Sequence, residues 1–184
     1  MGIFKKKENV TLDQFSYLIV CEIMNTNIAG IKGDLDKEIK NTINSITMLS
    51  SLILEQFYVM DYLNNKNNKD KEQIGHDVGK SFAGAFIYWN EKNGVSRELI
   101  DENMEIMMQF NDDMFSSPDL NDSTKPLDEL VYIYTNKRIF NELQIDSLNN
   151  IELEGMIAAY TKRVLKQLAP ILDNLLKKYN ITYQ

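Results

Sequence analysis

The sequence has little of the chemistry from which most catalytic and metal sites are built. It contains one cysteine, Cys21, one histidine, His76, and three prolines. A single cysteine excludes an internal disulfide and any site made of several thiolates. A single histidine excludes the di-iron bundles and zinc proteases that need two or more imidazoles. We therefore predict no cofactor, and we expect His76 to be exposed to solvent.

Arginine is also scarce, and acidic residues outnumber basic ones. The formal net charge is −7, and Arg97, Arg138 and Arg163 are the only arginines. Proteins that bind nucleic acids use clusters of arginine and lysine to neutralise phosphates, so no nucleic-acid partner is predicted. An acidic chain is better suited to the basic surface of another protein.

Long apolar segments are missing as well. The least polar window, residues 41–60, carries one charge and several Asn, Ser and Gln side chains, which suits a buried helix better than a membrane span. Residues 1–7 contain three lysines but lack the apolar core of a secretion signal. These features predict a cytoplasmic protein with no membrane span, and the abundance of Asn, Lys and Ile is typical of a bacterial or phage gene. A weak contact of the first seven residues with a membrane surface stays open.

What the sequence does contain is apolar residues at helical spacing. Residues 34–64 predict one long central helix of about 30 residues. Its apolar stripe comprises Ile39, Ile43, Ile46, Leu49, Ile53, Phe57 and Met60. Further apolar residues beside this stripe make the arc too wide for a single neighbouring helix to cover. We therefore predict an all-α fold of about six helices in a mainly antiparallel helical bundle, with no β-sheet.

Local signals divide the chain into a short tail and one helical domain. Thr11 and Gln14 have the spacing of a capping box, so the first helix should begin at Thr11, after a mobile basic tail of residues 1–10. A helical hairpin of residues 11–63 and a polar loop of residues 64–71 follow. Four further helices complete the single domain of residues 11–180, at about 72–93, 97–115, 126–143 and 150–179, the last broken at Pro170.

Two glycines interrupt the helix predicted for residues 72–93. Gly75 and Gly79 stand about one turn apart, and each costs up to about 1 kcal/mol relative to alanine inside a helix. We expect a close approach of the long helix to compensate for this cost. A groove for a ligand or partner is the alternative.

Carboxylates at three-residue spacing raise the question of a metal site. Glu98 with Asp101, and Glu102 with Glu105, have the spacing by which helical nucleotide hydrolases hold magnesium. Both pairs lie on one helix, and no matching pair occurs on the preceding helix, so a solvated acidic face is the preferred interpretation. A carboxylate- or metal-dependent all-helical hydrolase that uses these acids or Glu22 is the alternative function.

Two other carboxylates lie near apolar residues. Glu22 shares a helical face with Phe15, Ile19 and Ile23. An unpaired charge is costly to bury there, so we expect an ion pair. Glu55 falls on the less apolar side of the long helix, where exposure or an ordinary hydrogen bond is expected.

Methionines concentrate on the helix predicted for residues 97–115, where four of the nine lie between positions 104 and 114. Flexible thioether side chains are common where a surface adapts to a partner, but they also fill cores. One interpretation is therefore a core helix packed on two sides. The other is a partner or dimer interface whose edge is formed by Met104, Met108, Met114 and Phe115.

Taken together, these patterns predict a non-enzymatic protein–protein interaction module of the adaptor, immunity or inhibitor type. We expect it to self-associate, most simply as a homodimer, and to bind a protein partner with a basic surface. The acidic residues beside the methionines would form a charged rim that speeds encounter with such a partner. No residue is predicted to be catalytic.

Overall fold

The computed structural model describes residues 7–26, 30–31, 34–67, 70–116, 125–145 and 150–183, with Met114 and Phe115 described by their backbone. Within these residues the chain forms seven helices, the six longest of 14 to 30 residues, and two short strands. In chain order they are β1 (Glu8–Thr11), α1 (Leu12–Asn25), α2 (Lys37–Lys66), α3 (Lys71–Lys92), α4 (Arg97–Ser116), α5 (Leu127–Glu142), α6 (Ile151–Leu168), α7 (Ile171–Leu176) and β2 (Tyr179–Thr182). The predicted all-α helical bundle is confirmed.

The long helix α2 is the centre of the bundle, and it packs against α1, α3, α4, α5, α6 and α7. Eight successive residues, 49–56, are buried, so this stretch is covered around its whole circumference. The hydroxyls of Thr47, Ser50 and Ser51 donate hydrogen bonds to carbonyls four residues earlier in the same helix, at 2.7–2.8 Å. Such bonds satisfy polar groups that have no access to water.

The first helix, α1, begins where the sequence predicts. The Gln14 N–H donates to Thr11 Oγ1 at 3.2 Å, and the Thr11 N–H donates to Gln14 Oε1 at 2.9 Å. This capping box satisfies N–H groups that a helix start otherwise leaves open. α1 then packs against α3 and α2, and its residues Phe15, Ile19 and Ile23 are 0% exposed.

Two glycines set the contact of α3 with α2. A Cβ atom on Gly75 would lie 3.3 Å from Met60 Cε, and a Cβ atom on Gly79 would lie 3.6 Å from Gln56 Nε2. Both neighbours belong to α2. The predicted close approach of the long helix is confirmed at Gly75, whereas at Gly79 a Cβ atom would be in ordinary van der Waals contact. The contact at Gly75 is the tighter of the two, and its neighbour is the flexible end of a methionine.

A two-stranded parallel sheet corrects the prediction that no β-sheet forms. β1 pairs with β2 in a register that places Glu8 opposite Tyr179 and Thr11 opposite Thr182. The strands have four residues each and come from the two ends of the described chain, with the bundle between them. So short a strand shows too little alternation to be recognised in a sequence, and tertiary structure sets its partner. β1 includes the last residues of the segment predicted as a tail.

The last predicted helix is divided and ends early. α6 ends at Leu168 and α7 begins at Ile171, so the break expected at Pro170 is confirmed. α7 ends at Leu176, and the chain then enters β2 instead of continuing as a helix to residue 179.

Two glycines outside the α2–α3 contact should respond to alanine in opposite directions. Gly84 lies within α3 with no atom within 4 Å of a Cβ position, whereas Gly94 follows α3 with φ +74°. Gly84→Ala should raise the free energy of unfolding by about 0.5–1 kcal/mol, because alanine is the better helix former. Gly94→Ala should lower it by about 1 kcal/mol, because a Cβ atom is strained at that φ. Urea denaturation measures both shifts, and a destabilising Gly84→Ala would contradict the environment described for α3.

Candidate functional site

Helix α4 has a buried side and an exposed side. Ile100, Met107 and Phe110 are at most 5% exposed, and α4 packs against α2 and α3. The Phe110 ring also meets the Tyr134 ring of α5 in an edge-on contact, with 6.3 Å between centroids. Met107 is therefore a core residue, as the first interpretation of the methionine cluster predicts.

The exposed side of α4 is acidic. All six of its carboxylates are exposed, and we call this set the acidic ridge: Glu98, Asp101, Glu102, Glu105, Asp112 and Asp113. Arg97 is the one basic residue of the helix. It pairs with Asp101 at 3.0 Å and with Glu91 of α3 at 3.1 Å. The other five carboxylates form no ion pair with any described residue, so their charge is uncompensated there.

Met108 lies on the acidic ridge and is 62% exposed. Helical spacing places it beside Glu105, three residues earlier, and beside Asp112, four residues later. Asp101, two turns before Met108, lies on the same face. Around the helix, the carboxylates lie on one side of Met108 and Met104 lies on the other. Met108 is therefore an exposed apolar side chain at the edge of the ridge.

The other residues of the predicted interface edge are placed differently. Met104 is half-buried and packs against the core at the border of the ridge. The side chains of Met114 and Phe115 lie outside the described residues. The four-residue edge as a whole therefore stays a prediction, with Met108 as its exposed member.

The acids of the alternative metal site do not converge. Glu98, Asp101, Glu102 and Glu105 lie on the exposed side of one helix, and Glu22 is exposed on α1. In the part of the chain that the structure describes, no three His, Cys, Asp or Glu side chains are placed to hold a metal ion. The ion pair expected for Glu22 is also not found among these residues, because its side chain is solvated instead of buried.

Glu55 departs most from what the sequence led us to expect, since exposure or an ordinary hydrogen bond was predicted. It is 1% exposed, and neither carboxyl oxygen has a hydrogen-bond partner among the described residues. Of the acidic and basic residues described, it is the one that is fully buried. The prediction was therefore wrong. The apolar residues 52–54 immediately before it are the signal that this part of α2 is enclosed on all sides.

Burial raises the pKa of Glu55 to about 8, because an ionised carboxylate is costly in an apolar interior. The backbone N–H of Leu172 in α7 lowers the pKa of Glu55, although it does not form a hydrogen bond with the carboxyl group. The negative charge of the Asp173 carboxylate raises this pKa further. Burial also raises the pKa of the nearby Tyr58 hydroxyl, and neighbouring carboxylates, first Asp128 of α5, raise it further. Glu55 is therefore a neutral carboxylic acid at pH 7.

A neutral, enclosed acid suits a structural role better than a catalytic one. A cavity of about 450 Å³ beside α7 is lined by Tyr58 and Asp173 but not by Glu55. A molecule in that cavity would meet those two side chains first. We therefore assign no reaction step to Glu55.

His76 is exposed, as predicted, with a side-chain exposure of 71%, and its Nδ1 lies 3.5 Å from Asp77 Oδ1. Asp77 accepts a hydrogen bond from the Tyr183 hydroxyl at 2.7 Å, and this bond holds the pKa of the Asp77 carboxyl below its usual value. Burial, followed by the bond to Asp77, raises the pKa of Tyr183 to about 12. These contacts tie the end of the chain to α3.

Comparison with protein-family models, curated proteins and solved structures gives no match to this chain. None of the helices that the structure describes is long and apolar enough to cross a membrane. The function must therefore be argued from the surface of the chain itself.

Glu55→Gln should stabilise the protein increasingly as the pH rises. The unfolded chain loses the Glu55 proton near pH 4.5, whereas the folded chain keeps it until about pH 8. Folding therefore becomes less favourable across this range. Glutamine does not titrate, so the variant avoids a loss of about 3 kcal/mol at pH 7. Urea denaturation from about pH 5 to about pH 9 measures the difference, which should grow up to about pH 8 and then level off.

Glu22→Gln is the matched control, because Glu22 is exposed on α1. Its effect on the free energy of unfolding should be small, because the side chain contacts water before and after folding. Any constant cost of burying the glutamine amide shifts the Glu55→Gln curve as a whole and leaves its pH dependence intact. A Glu55→Gln difference that is flat with pH would mean that Glu55 is ionised in the folded protein.

Proposed function

We propose that this protein is a non-enzymatic protein–protein interaction module of the adaptor, immunity or inhibitor type, acting in the cytoplasm of a bacterium or a phage-infected cell. Its partner is a protein whose basic surface contacts the acidic ridge of α4. The observation that supports this best is Met108, which is 62% exposed at the edge of the ridge.

An adaptable apolar side chain and a charged rim supply different parts of binding. The thioether of Met108 can fit several partner shapes and loses apolar area to water when covered. The carboxylates around it attract a basic surface before contact, which raises the association rate. Single exposed apolar residues are common, and so are solvated acidic faces. Their coincidence on one helix is what favours a binding surface.

Self-association is the second part of the proposal. A homodimer formed through α4 would bring two acidic ridges together, so added salt should strengthen it by screening their repulsion. A complex with a basic partner should instead weaken as salt is added. Salt dependence therefore distinguishes the two kinds of partner at this surface.

Charge reversal beside Met108 should weaken partner binding by about tenfold or more. Glu105→Lys with Asp112→Lys reverses the two flanking carboxylates. Glu22→Lys with Asp61→Lys is the matched control, because it changes the net charge equally at exposed positions of α1 and α2, outside the acidic ridge. Affinity capture from a lysate of the source cells, followed by mass spectrometry, compares both variants with the wild type.

A partner that the control variant retains and the Glu105→Lys, Asp112→Lys variant loses would support the proposal. Equal retention by both variants would contradict it. Met108→Ala separates the apolar part of the contact: it should weaken binding while leaving the salt dependence unchanged.

The metal-dependent hydrolase is the alternative function, and the exposed positions of its acids give it no support. A metal that binds the folded state raises Tm through ligand linkage. We therefore expect millimolar Mg²⁺ or Mn²⁺ to leave the Tm of the protein unchanged in a thermal melt. A rise of several degrees would favour the hydrolase.

A further inference from the structure

A second surface is formed by α5 and α6, which run antiparallel. Two cavities of about 560 Å³ and 470 Å³ lie between them. The first is lined by the start of α5 and the end of α6, and the second by the end of α5 and the start of α6. Tyr132 lines both cavities, so they are parts of one depression, which we call the α5–α6 groove. It follows α5 over a length of about 24 Å.

The floor of the α5–α6 groove is largely apolar. Leu165 is 4% exposed, and Tyr132, Phe140 and Ala158 are half-buried. Ile133 and Phe140 are seven residues apart on α5, as Ala158 and Leu165 are on α6. This spacing keeps each pair on one face of its helix. The two helices thus present their apolar faces to a common depression.

Large apolar side chains beside this floor are exposed to water. Ile133 is 38% exposed, and Ile151 is 76% exposed. Ile151 precedes Ala158 by seven residues and so continues the groove face of α6 toward its start. A partner that covers both side chains removes apolar area from water, which favours association.

Three lysines border the groove. Lys137 on α5, with Lys162 and Lys166 on α6, are exposed and line it. None of the three forms an ion pair with a described residue. Of the acids in the groove, Glu129 is paired with Lys125 at 4.0 Å, which leaves two acids against three lysines. Three lysines against Asp128 and Glu154 give the unpaired side chains of the groove a small excess of positive charge, whereas the acidic ridge is negative.

We propose that the α5–α6 groove binds an amphipathic helix of a partner protein, with the apolar side of that helix in the groove and acidic residues on its flanks. Two antiparallel helices with a depression between them accommodate a third helix, because its side-chain ridge packs into the space between theirs. Acidic flanks meet Lys137, Lys162 and Lys166, whereas basic flanks would place like charges together. The groove is separate from the ridge of α4, so the two proposals can fail independently.

Two synthetic helical peptides of about 18 residues, long enough to span the groove, test the proposal. They share one apolar stripe of leucine and alanine, and they carry either glutamate or glutamine on both flanks. In fluorescence anisotropy with the full chain, the glutamate peptide should bind about tenfold more tightly, with a difference that shrinks as salt is added. The chain as a whole is acidic, so general electrostatics would favour the glutamine peptide. Equal affinity, or tighter binding of the glutamine peptide, would overturn the proposal.

Charge reversal locates the peptide on the protein. Lys162→Glu with Lys166→Glu should remove the preference for the glutamate peptide. Lys71→Glu with Lys92→Glu, at exposed positions of α3, changes the net charge equally and should keep the preference. All four positions are exposed, so an unchanged thermal melt is expected to confirm that both variants fold. Loss of the preference in both variants, or in neither, would contradict binding of the peptide in the α5–α6 groove. A homodimer that the Lys162→Glu, Lys166→Glu variant disrupts would also contradict the proposal, because a second copy of the chain would then occupy the groove.

Discussion

The enclosure of α2 is the constraint on which the rest of the structure depends. Residues 49–56 are buried, and α2 as a whole packs against the other six helices that the structure describes. The apolar surface of α2 is too wide for one neighbouring helix to cover. Removing any of the helices that pack against α2 would therefore expose part of this surface to water. The positions of α1, α3 and the α5–α6 pair follow from this requirement, and the exposed faces of the outer helices are what remains for binding.

Enclosure also decides how polar groups on α2 are stabilised. The hydroxyls of Ser50 and Ser51 bond within the helix, and Asn44 accepts a hydrogen bond from the Tyr160 hydroxyl of α6 at 2.6 Å. Glu55 has no such partner among the described residues, and its carboxyl group keeps a proton because a charge would be costlier. The stability of the surrounding packing offsets the cost that remains.

Much of the fold could be predicted because its signals are local. Apolar periodicity located α2, the capping box located the start of α1, and Pro170 located the break between α6 and α7. The β1–β2 sheet and the burial of Glu55 were missed because distant segments cause both: β2 pairs with β1 from the other end of the chain, and α7 closes over one side of α2. The sequence left open whether Met108 is buried or exposed, and the α5–α6 groove could not be predicted because it depends on how two helices pack.

The acidic ridge and the α5–α6 groove lie on outer helices that pack against the same central helix, α2. Native-state hydrogen exchange tests the enclosure of that centre most directly. The amide protons of residues 49–56 should exchange only through global unfolding, so their opening free energies should equal the free energy of unfolding from urea denaturation. Opening free energies in this stretch well below the global value would contradict the central position of α2.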